Sequence, residues 1–397
     1  MTSAPAATDF SLIRAGSQPE GFDPYPLYAA LRASAPVWKS PWGEWYLTSS
    51  DGVSKSLLHP ACSRSPFKAA DATIETGIAR YFRDWVIYLD APAHVQLRNE
   101  LSRPFAGARL TELAPAVEAI CRSLLPAETS TADIVPTFTQ PLPVLVIARL
   151  LGLPTADVPL IAEWAVTLRA LLDDTIPGLR SEKEKTLGIM WEYFRALITD
   201  PAWRAGTAGK GFNPLLETFP PEIVAANLVL LAFGGHETTV HLIGSLLYHL
   251  ADRPAVWQRL RQRPDLAPAA VAEALRLESP VQKLCRWTRA EIEIEGIAVS
   301  ADEPLVLVIG AANRDPAKFP RPDAFDVDRD QKAAIGFGRG AHLCLGRSLA
   351  LLEATTALRI LLERWRVVGL EPDGARWLNN SSFRGLRSLR LGWQVQA

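Results

Sequence analysis

The stretch Phe337-Gly338-Arg339-Gly340-Ala341-His342-Leu343-Cys344-Leu345-Gly346 sets one cysteine among three glycines, just ahead of an apolar helical segment at about 346–365. Glycine tolerates positive φ and lets a backbone come close to a flat ligand. At the mouth of a helix the cysteine meets unpaired backbone N–H groups and the positive end of the helix dipole. Both favour the thiolate, which is the form that binds metals. Two plainer readings stand beside this one: an inert buried cysteine before a helix, and half of a zinc site, His342-x-Cys344. Zinc takes four ligands, and the sequence offers no second pair at ligand spacing.

The rest of the chain limits what such a loop can belong to. There are 397 residues, with 42 Lys+Arg against 43 Asp+Glu, so no basic excess exists to hold a phosphate backbone, and nucleic acid is not an expected partner. Hydrophobic residues at 48% fit a packed globular protein and exclude disorder. Four cysteines (Cys62, Cys121, Cys285, Cys344) make no disulfide framework and suggest a reducing cytoplasm. Residues 1–9 show no signal peptide. The most apolar segment, Ile223 to Gly235, contains Asn227 and is shorter than the roughly 20 residues a membrane span needs. It reads as a buried core helix of a soluble protein.

Periodicity gives a mainly α protein with small β-sheets near both ends, an α+β class. We expect a single domain over 1–397 with a short polar tail at about 1–20, because no linker divides the chain. A helix follows Pro24, and 36–48 looks extended around a Trp42-Gly43 turn. Residues 66–88 read as a loop. Helices at 157–174 and 181–199 flank Thr175-Ile176-Pro177-Gly178. A long helix starts after Pro220-Pro221 and runs to Leu250, about 45 Å at 1.5 Å per residue. Another covers 267–278 and stops at Ser279-Pro280, followed by extended stretches near 291–299 and 304–309.

Two further motifs lie on those helices. Ala232-Phe233-Gly234-Gly235-His236-Glu237-Thr238-Thr239 puts two glycines in mid-helix, where each is unfavourable by about 1 kcal/mol relative to alanine. Without side chains they let a ligand approach the helix wall. Thr238 can bond the carbonyl four residues back and bend the helix, and Glu237 beside it offers a proton donor. A kinked core helix with an exposed glutamate is the plainer alternative. The His236-Glu237 pair with His241 imitates a zinc-protease signature, but a spacing of five turns the second histidine by about 140°. Glu273 and Arg276 lie three apart on one helix face, the spacing of an ordinary surface ion pair.

Taken together, the Phe-Gly-x-Gly-x-His-x-Cys-x-Gly loop, the Gly-x-acid-Thr helix and Glu-x-x-Arg resemble cytochrome P-450 enzymes, the haem-thiolate monooxygenases, of the soluble bacterial kind. The likeness runs from about Asp23 to the C-terminus. It implies the cytochrome P-450 fold, with a long central helix lying over haem b (iron protoporphyrin IX), and Cys344 as the iron ligand. One thiolate on one face of the iron leaves the other open and favours O–O cleavage. Phe337 and Gly346 would belong to the haem-binding loop. His94, Arg98, Arg286 and His342 match the family's propionate ligands by position, and buried propionates need cationic partners. Thr238 would steady the oxygen species and Glu237 would supply protons. Glu273 and Arg276, joined by Arg329, would form a buried brace with no chemical role.

The resemblance also implies a mostly apolar substrate pocket. Its walls would come from Trp85 and Ile87 in the loop, and from Leu230, Phe233 and Gly234 on the long helix. Val281, Gln282 and Leu284 would close one side, with Ser381, Ser382 and Phe383 opposite. Lys283 is unexpected there; it could hold an acidic substrate group, or reach a propionate or solvent. The expected activity is insertion of one atom of O2 into a small, mostly apolar molecule, in the manner of secondary metabolism. Electrons would come from NAD(P)H through a separate ferredoxin- or flavodoxin-type donor and its reductase, since no Gly-x-Gly-x-x-Gly strand–helix unit is present. Alternatives are a pathway oxidase that closes rings or couples phenols on the same haem, and a haem-binding sensor without turnover. A cytoplasmic protein with no membrane association is expected.

Overall fold

Prolines open several of the helices in the structure, a computed structural model that describes residues 9–14, 19, 21–66, 79–125, 128, 130–173 and 180–395. Proline suits a first helical turn because the N–H it lacks would have no partner there. This holds for the helices Tyr25–Ser34, Pro141–Leu151, Pro254–Gln262 and Ala267–Leu277, and for the central helix Pro221–Ala251. The central helix is apolar on nearly every side because it is surrounded. The helices Pro141–Leu151, Val158–Asp173, Arg180–Leu197, Ala267–Leu277 and Arg347–Arg364 all pack against it. It is long and apolar enough to cross a membrane, yet 72% of its most apolar window is buried inside the fold. Its apolar surface is taken up by packing.

Among the described residues ten strands form three sheets: β1 (Val37–Lys39), β2 (Trp45–Leu47), β3 (Cys62–Ser63), β4 (Ser130–Asp133), β5 (Lys283–Thr288), β6 (Ile292–Ile294), β7 (Ile297–Val299), β8 (Pro304–Val308), β9 (Trp365–Trp377) and β10 (Leu386–Val395). The largest sheet has the order β1-β2-β8-β5-β3, with β2 and β8 parallel and the other pairs antiparallel. β4, β10 and β9 form an antiparallel sheet, and β6-β7 is a hairpin. Glu295 and Gly296 both have positive φ (50° and 80°), the two-residue turn that matches strand twist.

The helices lie close to where the periodicity puts them. Segments 67–78, within the expected loop, and Thr175-Ile176-Pro177-Gly178 lie outside the described residues. Two expectations change. The tail expected to be polar at about 1–20 includes a packed turn, since Phe10–Ile13 form a 3-10 turn with Ile13 fully buried. β5 and the long β9–β10 pair, unassigned above, build much of the β structure.

Candidate active site

The cysteine loop is shaped by its own backbone. Gly338 and Gly340 take φ of 72° and 74°, which only glycine adopts without strain. The Cys344 N–H donates to the Phe337 carbonyl at 2.9 Å, and the Gly338 N–H to the Ile335 carbonyl at 2.8 Å. Any side chain on Gly340 would come within 3.2 Å of the Leu57 carbonyl. Arg98 donates through Nη2 to the Leu343 carbonyl, and Arg339 through Nη1 to Ser54 Oγ at 2.8 Å. Gly346 caps the helix Arg347–Arg364, and the Arg347 guanidinium lies over the Phe337 ring. Cys344 is exposed at the head of this helix. Although one side of Cys344 faces open space, the protein packed around its other sides pushes its thiol up, while the N–H groups of Gly346 and Arg347 and the charge of Arg98 oppose that.

Five basic side chains converge beside the loop. The rings of His94 and His342 are 4.0 Å apart. Burial, then the neighbouring His94, Arg286, Arg64 and Arg98, holds His342 down at about 3. Burial and Arg64 lower Arg286 to about 10, and burial and Arg98 lower His94. Nε2 of His94 is buried and has no hydrogen-bond partner among the described residues. His94, His342 and Arg286 are each lowered by burial first and then by neighbouring cations, although Asp90 lies near enough to favour the charged forms of His94 and Arg286. A flat cofactor carrying two carboxylates fits that donor set. Arg64 is the member the sequence did not disclose. It donates to the Cys285 carbonyl at 3.2 Å and lies over the Tyr88 ring.

The brace is fully internal. Glu273 accepts from Arg276 through both carboxylate oxygens at 2.8 Å and from Arg329 Nε at 3.0 Å. The Asp326 N–H and Gln331 Nε2 complete its shell at 2.9 and 2.7 Å. Burial alone would raise the Glu273 carboxyl, but the Arg276 bonds outweigh it and hold the group below its usual range. Gly336 lies against this helix so closely that a Cβ would sit 2.7 Å from Leu275 Cγ.

On the central helix the two glycines part company. A Cβ on Gly234 would meet nothing within 4 Å, whereas one on Gly235 would fall 2.7 Å from Ile147 Cδ1. Gly234 therefore opens space and Gly235 serves helix packing, which corrects the reading that both admit a ligand. Thr238 Oγ1 donates to the Gly234 carbonyl at 3.0 Å, the bond its spacing predicts. Glu237 is 3% exposed, with Oε1 at 3.0 Å from His241 Nε2. The exposed-glutamate alternative does not describe this residue.

The pocket residues divide. Phe233 and Phe383 meet edge-on at 6.1 Å, Val281 pairs with Phe383 as a β-bridge, and Leu230 lies in the same apolar cluster. Ser382 accepts the Gln282 N–H at 2.8 Å, and Ile87 is partly exposed. Three expectations need correction. Gln282 is 1% exposed and turns inward, its Nε2 donating to the Ser279 carbonyl at 2.7 Å. Trp85 is fully buried between Phe82 and Tyr88, so it supports a wall without presenting a surface. Leu284 packs on a second cluster around Leu47, Leu57 and Leu307, away from Phe233. Lys283 is half-buried, and its Nζ donates to the Ile13 carbonyl. Asn227, noted only as a polar break, pins the loop at 84–86. Its Oδ1 accepts the Val86 N–H and its Nδ2 donates to the Asp84 carbonyl, both at 2.8 Å.

Known proteins share this arrangement. The Cytochrome P450 family model matches residues 209–382. The chain is 31% identical to the biotin biosynthesis cytochrome P450 of Bacillus subtilis (strain 168), covering 94% of this chain and 96% of that one. It is 33% identical to the 20-oxo-5-O-mycaminosyltylactone 23-monooxygenase of Streptomyces fradiae, covering 94% and 90%. Among solved structures, P450BioI in complex with hexadec-9Z-enoic acid ligated acyl carrier protein superposes with a TM-score of 0.87 at 30% identity, covering 94% of this chain and 98% of that one. With relatives of this identity spanning nearly its whole length, the chain belongs to the cytochrome P450 family, as an oxidoreductase of the bacterial monooxygenase type that uses haem b.

Proposed function

We propose that this enzyme inserts one atom of O2 into a C–H bond of a small, mostly apolar molecule. The substrate gains a hydroxyl, the second oxygen leaves as water, and two electrons and two protons are consumed. The observation that carries this reading is the pairing of Thr238 with Gly234. It sets a hydroxyl beside Gly234, where a Cβ would touch nothing within 4 Å. Haem b, when bound, supplies the redox chemistry that reduces dioxygen and oxidises the substrate. Cys344 would ligate its iron from the loop held by Phe337 and Gly346. Arg98, Arg286, His94 and His342, with Arg64, would take its propionates. Thr238, its own proton given to the Gly234 carbonyl, would offer Oγ1 as an acceptor at the reacting centre, and Glu237 would supply protons there. Phe233, Val281, Leu230 and Phe383 would exclude water and orient the substrate.

Electrons would arrive from NAD(P)H through a ferredoxin- or flavodoxin-type donor and its reductase. The chain would act as a single domain in the cytoplasm, and in secondary metabolism like its relative from Streptomyces fradiae. A second reading follows from the solved neighbour with an acyl carrier protein: an acyl chain presented on a carrier. Screening free apolar compounds and carrier-bound acyl groups for a spin-state shift of the haem separates the two. Turnover of the best compound under labelled O2 should leave one labelled atom in the product. Unlabelled product, as from ring closure or phenol coupling, would contradict insertion.

A further inference from the structure

Glu237 and His241 are four residues apart, so their side chains lie on one face of the central helix. Nε2 of His241 is 3.0 Å from Oε1 of Glu237, and the two side chains are 2% and 3% exposed. Thr238 is next in the chain and therefore about 100° away around the helix. Its hydroxyl turns back to Gly234. The acid and the alcohol are neighbours in sequence but are held by different partners.

The imidazole is fixed from its other side by backbone. A Cβ on Gly385 would fall 2.0 Å from His241 Nδ1 and 2.2 Å from Cγ, so no side chain fits at 385. Gly385 follows Phe383 by two residues, and Phe383 meets Phe233 edge-on, one helical turn before Glu237. The ring is thus wedged between the acid and the segment that walls the pocket. It has little freedom to leave Glu237.

We propose that His241 is the positioning residue for Glu237. Its Nε2, 3.0 Å from Oε1, fixes where that carboxyl lies relative to Thr238; neither ring nitrogen has a hydrogen-bond partner among the described residues as the side chains stand, and a turn of the Glu237 carboxyl brings Oε1 into line with the Nε2–H. With Nε2 as the donor, Oε1 accepts, and the ring carries its proton on Nε2. The inference rests on the reading of Glu237 as the proton donor, and its test is built to separate the two.

The first measurement is 15N NMR of histidine-labelled holoprotein in its ferrous, carbon monoxide-bound form. The resonance lost in His241→Gln identifies His241. It should carry the Nε2-protonated signature and should shift in Glu237→Gln. An Nδ1-protonated ring, or one indifferent to Glu237→Gln, overturns the proposal. The second measurement uses NADPH with a plant-type ferredoxin and its reductase and no added substrate, scoring the fraction of electrons recovered as hydrogen peroxide. His241→Leu should change that fraction at least twofold, as Glu237→Gln does, and the double variant should change it no further. His241→Gln, which keeps a donor at similar reach, should stay near the parent. Gly385→Ala, which displaces the ring, should follow His241→Leu and serves if the leucine variant does not fold. A parental peroxide fraction in His241→Leu, or effects that multiply in the double variant, overturns the proposal. A parental fraction in Glu237→Gln, with the NMR pairing intact, instead overturns the proton-donor reading and the role built on it.

Discussion

Asn313 ties the buried arginine Arg276 to the cysteine loop: its carbonyl accepts Arg276 Nη1 at 2.8 Å, while its side-chain Oδ1 accepts the Ile335 N–H at 2.8 Å. Ile335 in turn accepts the Gly338 N–H, where the loop makes its first positive-φ turn. Asn313 Nδ2 also donates to Ser279 Oγ at 2.8 Å. The Glu273–Arg276 pair therefore reaches the loop through one asparagine. Glu273→Ala leaves Arg276 charged and fully buried, a change of the kind that costs about 3–5 kcal/mol. It should give insoluble or haem-free protein. Asn313→Ala leaves the Ile335 N–H unpaired at about 1–3 kcal/mol and should lower both Tm and the haem-to-protein absorbance ratio. An Asn313→Ala protein with the parent's Tm and haem content would show that the loop does not hang from this residue.

Thr238→Ala removes the hydroxyl bonded to Gly234 and leaves the apolar wall of Phe233 and Phe383 intact. Substrate-induced spin shifts should keep their affinity. Coupled product formation should fall by at least about tenfold, with the electrons appearing as peroxide, because positioned proton transfer typically contributes 10²-fold or more. Product yield per NADPH equal to the parent's would remove Thr238 from the mechanism.

The unlike surroundings of the two glycines predict opposite outcomes. Gly234→Ala meets no atom and should raise helix stability by up to about 1 kcal/mol while weakening binding of bulky azoles that enter the space beside it. Gly235→Ala presses on the end of Ile147 and should lose about 1 kcal/mol net, since overpacking exceeds the propensity gain. Ile147→Val, which lacks the Cδ1 in the way, should restore stability to the Gly235→Ala chain. Calorimetry of the four proteins decides it.

Acid stability should depend on Glu278. Burial would raise its carboxyl, but His249, Arg384 and Arg314 together hold it down at about 2, against an ordinary value of 4.5. A depressed carboxyl adds stability above its unfolded pKa, and that stability is lost as pH falls from about 4.5 through about 2. The difference corresponds to about 3 kcal/mol. Glu278→Gln should be less stable than the parent at pH 7 and should flatten the fall in Tm between pH 5 and pH 2. Parallel pH profiles for the two proteins would refute the assignment.

The helices and the cysteine loop were readable because their signals are local: proline starts, apolar period and glycines at fixed offsets from one cysteine. β5 was not, since its six residues carry Lys283 and Arg286 and gain strand character only by pairing with β8. Gln282 and Trp85 were placed in the pocket by position along the chain, but which way a side chain turns depends on partners far away in sequence. Arg64 joins Arg286 and His342 only through the β3–β5 pairing. The close approach of Glu237 and His241 follows from a spacing of four, and a comparison of the two histidines alone passes over it.

The central claim is that Cys344 holds the iron of haem b through its sulfur. The carbon monoxide difference spectrum of the reduced holoprotein tests it most directly. A strongly red-shifted Soret band in the parent, absent in Cys344→Ser under the same haem loading, is the predicted result. Colourless protein after haemin is supplied, or the same red-shifted band in Cys344→Ser, would contradict it.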